Sequence, residues 1–580
     1  GLGIHPESGG PHGAPIDALE TLGVSTFPQM EFWARSRTHR VRDEERFFIK
    51  QGSSAAHTYG KTLVAAEGFT SIGPQWEESV WDNLKPSFDQ AICAGLNRLF
   101  WHTFTSSPKE AGVPGQEYFA GTHMNPNVTW WSKAGAFTSY INRVQFLMQQ
   151  GLPVSDVLVY YGDQVPNFVQ WKGADPAKVL PGYDYDVIDE HALTQRVHAS
   201  NGRIVLPEGT SYAVLVLPER DSISPAALKK VRELVLAGAA VAGPKPVRTT
   251  GIGDDAAVRR IAGEIWSRCG TNAREMLRAR GILPDFEAPE DTDYVHRRAG
   301  GTDIYFVRNT RAEARRIEAT FRVKDRAPEL WHAETGVIEP AGIYQSTPDG
   351  RTKLPLWLEP NGSVAVVFRR PPAPHAVSVA PESAEAKITG TRELWTMQPG
   401  RYDVRLSTGR TVSAEVAVPA PVTIEGAWTV AFGDRAVPFD ALRSWTENPD
   451  PEIHYYSGTA RYRKEIEIPP AMVAAGHEPW LDLGDVREIA EVWLNGKSLG
   501  VLWREPFTVA LGSAAKAGTN LLEIEVVNLW PNRLIGDASL PEALRRTHTN
   551  IAKFKANSPL MPSGLLGPVV LKAASRAPLK

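Results

Sequence analysis

The chain has very little cysteine. Cys93 and Cys269 are the only two in 580 residues, too few for a disulfide framework. Cys93 falls on an apolar helical stripe, so a buried thiol is expected there rather than a bridge. No apolar run approaches the length that crosses a bilayer. Neither sign of charge dominates: 63 Lys and Arg stand against 66 Asp and Glu, a net charge of −3. That balance gives no reason to expect nucleic acid or an anionic membrane as partner. The opening residues Gly1-Leu2-Gly3-Ile4-His5 carry neither the basic nor the apolar region of a signal peptide, nor an initiating Met. His and Cys never fall at zinc-site spacing. No GxGxxG or phosphate-binding loop appears, and Gly251-Ile252-Gly253-Asp254 reads as a turn. What is present is ordinary globular composition, 42% hydrophobic and 22% charged, in a length that suits about three to five domains. The 17 Trp and 15 Tyr offer flat faces that suit sugar rings as well as cores.

One stretch organises the rest: Thr62-Leu63-Val64-Ala65-Ala66-Glu67-Gly68-Phe69-Thr70-Ser71. Its apolar run reads as a buried strand, and it ends on a carboxylate that is costly there unless paired or used. Glu67 is either a functional group at a strand exit, an acid satisfied by a neighbouring Arg, or an exposed loop residue. Residues 1–155 repeat the pattern four times. Four strands alternate with helices, the third ending on Glu67 and the fourth at Arg98–Trp101, and Glu7, Glu31, Glu67 and His102 stand at the exits. The helix after Glu67 carries Trp81, Leu84, Phe88 and Ile92 on one face; the next carries Phe137, Tyr140, Ile141, Val144 and Met148. Strict alternation predicts a parallel sheet, and polar groups at every exit fit the active face of a (β/α)8 barrel. Four units are half of such a barrel, so the chain is expected to be the C-terminal part of a longer protein.

Residues 156–280 read as a small flavodoxin-like α/β domain, with strands at 156–161 and 213–217 and a helix capped by Ser224-Pro225. Residues 281–420 turn to short alternating runs separated by Pro348-Asp349-Gly350 and Pro360-Asn361-Gly362, a β-sandwich. Residues 421–580 form a second β-domain in which Ile489 to Lys497 is a hairpin closed by Asn495-Gly496.

Taken together, HPESGGPH followed by PIDALETLG, PQMEFW, AEGFTS with Trp76 and Trp81 after it, GLNRLFWHTFTSSP and THMNPNVTWW resemble the alpha-L-rhamnosidases of glycoside hydrolase family 106. The stretch from Tyr455 through EVWLNGKSLG is similar to the galactose-binding-like jelly rolls appended to many glycosidases. The resemblance implies an inverting glycosidase that removes terminal alpha-L-rhamnose, requires calcium, and works in the periplasm or outside the cell on a carbohydrate partner. It also implies that Glu67 is one of the two catalytic carboxyls and that the other lies upstream of residue 1. Two alternatives stay open: a non-catalytic carbohydrate-binding scaffold, or a retaining glycosidase such as a beta-galactosidase on the same layout.

Other candidates carry competing readings. Glu7 is a sugar- or metal-contacting acid or a turn residue bonding local amides. Glu31 beside Trp33 suits sugar recognition, since hydroxyls take hydrogen bonds while a ring covers a C–H face; the pair is equally a core aromatic with a bystander charge. His102 is a hydroxyl ligand or a supporting histidine. Trp130-Trp131 is a sugar platform or, opening a helix, a core pair, and His123 and Asn125 are loop candidates. Calcium ligands, oxygen atoms scattered over loops, are not legible in the sequence.

Overall fold

The computed structural model describes residues 3–4 as backbone and residues 16–38, 48–73, 75–383, 386–389 and 391–580, and the described part of the first 155 residues is built on a four-stranded parallel sheet. Strands β1 (Gly3–Ile4), β2 (Phe27–Trp33), β3 (Ala65–Thr70) and β4 (Arg98–Trp101) are neighbours in chain order. Helices α1 (Ala18–Gly23), α2 (Ile49–Thr58), α3 (Lys85–Cys93) and α4 (Ala134–Met148) follow them. Asp17 accepts a hydrogen bond from the Glu20 N–H and so fixes the start of α1. Residues 39–47, between β2 and α2, lie outside the described residues. The apolar face read before α3 holds, with Trp81, Leu84, Phe88 and Ile92 all buried. Its first turn, Val80–Leu84, is π-helical and only then gives way to α3. Cys93 is buried and free, as expected; Cys269 is half-buried and free.

The sheet has two unlike faces. Met30, Phe32, Ala66 and Phe69 point into the main core, where the helices supply Leu19, Ile49, Phe88 and Val144. Gln29, Glu67, Arg98 and Phe100 stay partly or fully exposed on the other side.

A second parallel sheet follows, built from Val157–Tyr160, Tyr185–Ile188, Val214–Val216 and Ala240–Ala242 in the spatial order second, first, third, fourth. Ser224 caps the helix Pro225–Leu236 by accepting from Ala227 N–H, as its sequence predicts. Two antiparallel sheets then pack face to face around Tyr305, Phe321, Leu356 and Phe368, with strands running from Phe286 to Arg370. Strands between Ala376 and Val416 make a separate three-stranded sheet, and Glu393–Thr396 pairs with the last strand, Val570–Pro578. This stretch therefore links the sandwich to the C-terminal β region. That region stacks a six-stranded sheet centred on Thr459–Ile468 and Gly518–Val527 against one centred on Val570–Pro578. Its Asn495-Gly496 turn takes positive φ at both residues, 52° and 80°, the conformation a two-residue hairpin needs, and Leu494 pairs with Lys497 across it.

Buried ions dock these parts. The Lys85 ammonium in α3 reaches Asp89 at 2.7 Å, the Asn361 carbonyl at 2.8 Å and Ser363 Oγ at 3.0 Å. Lys133 spans Glu491 and Glu525 of the C-terminal region at 2.5 and 2.8 Å. Ammonium groups buried this deeply are tolerated because carboxylates and carbonyls replace the lost water.

Candidate active site

Glu67 stands in the middle of the exposed face, register-paired with Glu31 on β2 and Phe100 on β4. The strand does not run on regularly past it. The register shifts after Phe32, so that Trp33 pairs with Thr70, and Phe69 sits at φ +67°. In an even strand residue 69 would share the face of residue 67. The irregularity reverses that parity. Phe69 turns into the core against Trp101 and Phe32, with ring centroids 4.4 and 5.1 Å away, and the Thr70 hydroxyl comes round to donate to Glu67 Oε1 at 2.7 Å. A bulky residue at positive φ is strained, and such strain gathers where side chains must be aimed. Gly68 follows from the same packing: a Cβ there would lie 2.2 Å from Leu99 and 2.6 Å from Phe32.

His102, one step beyond β4, completes the group. Its Nδ1 lies 3.6 Å from Glu67 Oε1 and 3.4 Å from Thr70 Oγ1. Its ring meets Tyr118 edge-on, centroids 5.7 Å apart. The loop that holds His102 is bonded to two strand ends: Gly121 N–H donates to the Ser71 carbonyl, and Thr122 N–H lies within reach of the Phe69 and His102 carbonyls. Gly121 takes φ +88°, and a Cβ there would come within 2.6 Å of His102 Nδ1.

Behind this loop the C-terminal region reaches in. His548–Thr549 pairs in parallel with Pro114–Gly115. Lys553 bonds Glu117 Oε1 at 2.8 Å, and Glu117 in turn accepts from the Trp76 indole. Trp76 stacks on His123 at 4.5 Å. Burial, then the charges of Lys553 and His102, hold His123 down to about 4. Glu78, fully enclosed beside Ser71, is pushed up to about 8 by burial and by Glu77, so it is a neutral acid at pH 7.

The sequence candidates therefore separate. Glu31, Glu67 and His102 come together. Trp33 donates its indole N–H to Glu31 Oε1 at 3.1 Å and is buried, so it orients that acid rather than presenting a ring. His123 and Asn125 are buried in the loop framework; Asn125 donates to the Thr105 carbonyl and accepts from Asn127 N–H. Trp130 is 4% exposed and lines a void of about 10 Å³ with Trp76, Glu78 and Trp530. Its neighbour Trp131 is 39% exposed and meets Phe104, itself 62% exposed, so the open ring of that pair is the second one. Glu7 lies outside the described residues. Thr70 and Tyr118 carry no signal that marks them beforehand; Thr70 could have been found only by anticipating the bulge. Among the described residues no three His, Cys, Asp or Glu side chains converge as ligands of a metal would, so no residue is assigned to calcium.

A partly exposed carboxylate that accepts from a hydroxyl, with an imidazole beside it, is equipped to exchange a proton with a bound polyol. The sequence model for the alpha-L-rhamnosidases of glycoside hydrolase family 106 matches residues 1–346. The solved rhamnosidase from Novosphingobium sp. PP1Y is 30% identical and superposes with a TM-score of 0.80 over 96% of this chain and 52% of its own. A protein of Formosa agariphila described as a putative beta-glucuronidase is 26% identical, covering 96% of this chain and 66% of its own length. The chain thus spans about half of the solved relative and just under two thirds of the other. It has the mixed α/β and β multidomain fold of the rhamnosidase, and it belongs to the alpha-L-rhamnosidase family of glycoside hydrolases.

Proposed function

We propose that this protein releases terminal alpha-L-rhamnose from a glycan or glycoside, with Glu67 as one of two carboxyls in an inverting reaction. The observation that carries the reading is the placement of Glu67: partly exposed, just before the irregularity in β3, bonded by Thr70 and flanked by His102. Inversion needs a second carboxyl about 6.5–9.5 Å away, so that one protonates the leaving oxygen while the other activates water on the far side of the ring. In this reading the four parallel strands are half of a (β/α)8 barrel whose interior face carries Glu67. The second parallel sheet is flavodoxin-like, in keeping with its strand order, and the C-terminal region is a jelly roll. Thr70 and His102 fix the carboxylate, and Tyr118 packs against His102 to hold the imidazole. Calcium is part of the proposal through the family resemblance alone, and no step is drawn through it.

The test is hydrolysis of an aryl alpha-L-rhamnoside by the natural full-length protein and its Glu67→Gln variant. Loss of a carboxyl that moves a proton costs about 10²–10⁴-fold, so turnover should fall at least a hundredfold with the melting temperature unchanged. Near-normal turnover by the variant would refute the assignment.

A second reading rests on one feature. Glu31 and Glu67 are direct neighbours across β2 and β3, and adjacent strands lie about 4.7–4.9 Å apart, near the roughly 5–5.5 Å of a retaining pair. Proton NMR of the first-formed sugar separates the two: the inverted anomer supports the first reading, the retained anomer the second.

A further inference from the structure

A second cleft shares none of its lining with the Glu67 group. It is a cleft of about 1000 Å³ between the outer face of the sandwich and the two β regions that follow it. Strand alternation builds one wall. On Thr352–Leu358, residues 352, 354, 356 and 358 are buried, which turns Lys353, Pro355 and Trp357 outward. Arg316 and Glu318 lie beside them on Arg315–Phe321. The other wall is Arg405 from the three-stranded sheet with Trp395, Trp480 and Arg576 from the C-terminal sheet.

At the cleft itself the two walls present indole rings and charged groups to each other. Trp357 is 45% exposed. Trp395 and Trp480 meet edge-on, centroids 6.1 Å apart. The Trp480 indole N–H is buried with no acceptor among the described residues. The charges are interleaved: Arg316 pairs with Glu318 at 2.5 Å and with Glu382 at 3.1 Å, Lys353 with Glu318 at 3.0 Å, and Lys387 with Glu339 at 3.3 Å. Arg405 makes no ion pair among the described residues. Burial raises the Glu359 carboxyl on the same wall. Ligand sites favour such junctions between domains, and this volume is at the upper end of their range.

We infer that this cleft is a second glycan-binding site, taking a neutral oligosaccharide and acting apart from Glu67. Indole faces cover the C–H face of a pyranose, and alternating guanidinium and carboxylate groups serve hydroxyls, which donate and accept at once. A polyanion would meet carboxylates interleaved among the cations and has less to gain here.

Calorimetry on the whole chain carrying Glu67→Gln tests this, with a panel of neutral probes (cello-, manno-, xylo- and malto-hexaose) and two polyanions (polygalacturonate and dextran sulfate). Saturable binding of at least one neutral probe is expected, weakened about tenfold or more by Trp357→Ala and by Arg405→Ala. Trp357→Phe should restore most of the affinity, and thermal melts of these surface variants should match the parent. Three results would overturn the inference: no saturable binding of any neutral probe at millimolar concentration, binding unchanged by both substitutions, or tighter binding of the polyanions. Hydrolysis of the aryl rhamnoside by Trp357→Ala in the full-length protein is expected at the parental rate. The two proposals can therefore fail separately.

Discussion

Two four-stranded parallel sheets stand next to each other in this chain, with α2 packed against both, and their acids meet opposite fates. In the second sheet alternate residues enter two different cores: Val157, Val159, Tyr185 and Val187 one, Leu158, Tyr160 and Ile188 the other. Both faces are covered, as parallel sheets usually are. An acid placed there has to be neutralised from within. Asp186 has His57 Nδ1 at 2.9 Å, the Tyr212 hydroxyl at 3.0 Å and Lys50 at 3.7 Å. Burial alone would push its carboxyl up, but His57 and Lys50 hold it well below the ordinary carboxylate range. In the first sheet the Glu67 side chain keeps 27% of its surface exposed, with a hydroxyl and an imidazole beside it. Identical β-α alternation thus yields a structural acid in one sheet and a candidate catalytic acid in the other. The difference is the exposure of the acid and the charge of the groups beside it.

That contrast can be broken by exchanging the expected losses. Beyond the loss of turnover set out for Glu67→Gln, Asp186→Asn should leave turnover per folded molecule intact and cost about 1–3 kcal/mol of stability, because it removes the carboxylate that His57 and Tyr212 share while Lys50 keeps Asp184 at 3.0 Å; chemical denaturation measures it. Glu78→Gln should act through pH. The folded chain releases the Glu78 proton near pH 8 and the unfolded chain near 4.5. Between those values unfolding releases a proton, so stability falls as pH rises, by roughly 1.4 kcal/mol per unit at most. The variant should lose this slope, and melting curves from pH 5 to 8 check it. The smallest effect is on Thr70→Val, which removes the hydroxyl from Glu67. About a tenfold drop in kcat is expected, near the worth of one hydrogen bond to a charged group, and Thr70→Ser should recover most of it.

Much of this was legible beforehand. Periodicity placed β4 at Arg98–Trp101 and set the buried face of α4, because both are governed by simple apolar repeats. Asn495-Gly496 fixed its hairpin, since few other pairs tolerate two positive φ values. His102 follows β4 as expected, whereas β2 and β3 run on past Glu31 and Glu67, which therefore lie within their strands and not at the exits. The rest depended on events that leave no periodic trace. The bulge at Phe69 recruits Thr70, and only the three-dimensional packing of Phe32, Phe69 and Trp101 reveals it. Trp130 and Trp131 are identical in type, and which one is buried depends on the fold of the C-terminal region around Trp530. The contact of Lys553 with Glu117 joins residues more than four hundred positions apart, beyond the reach of any local reading.

The most direct test is a crystal structure of the full-length Glu67→Gln protein with an uncleaved alpha-L-rhamnoside. The account predicts the sugar on the open face of the first sheet, with its glycosidic centre facing residue 67 and a hydroxyl near His102. A sugar bound elsewhere, with residue 67 and His102 untouched, would contradict it.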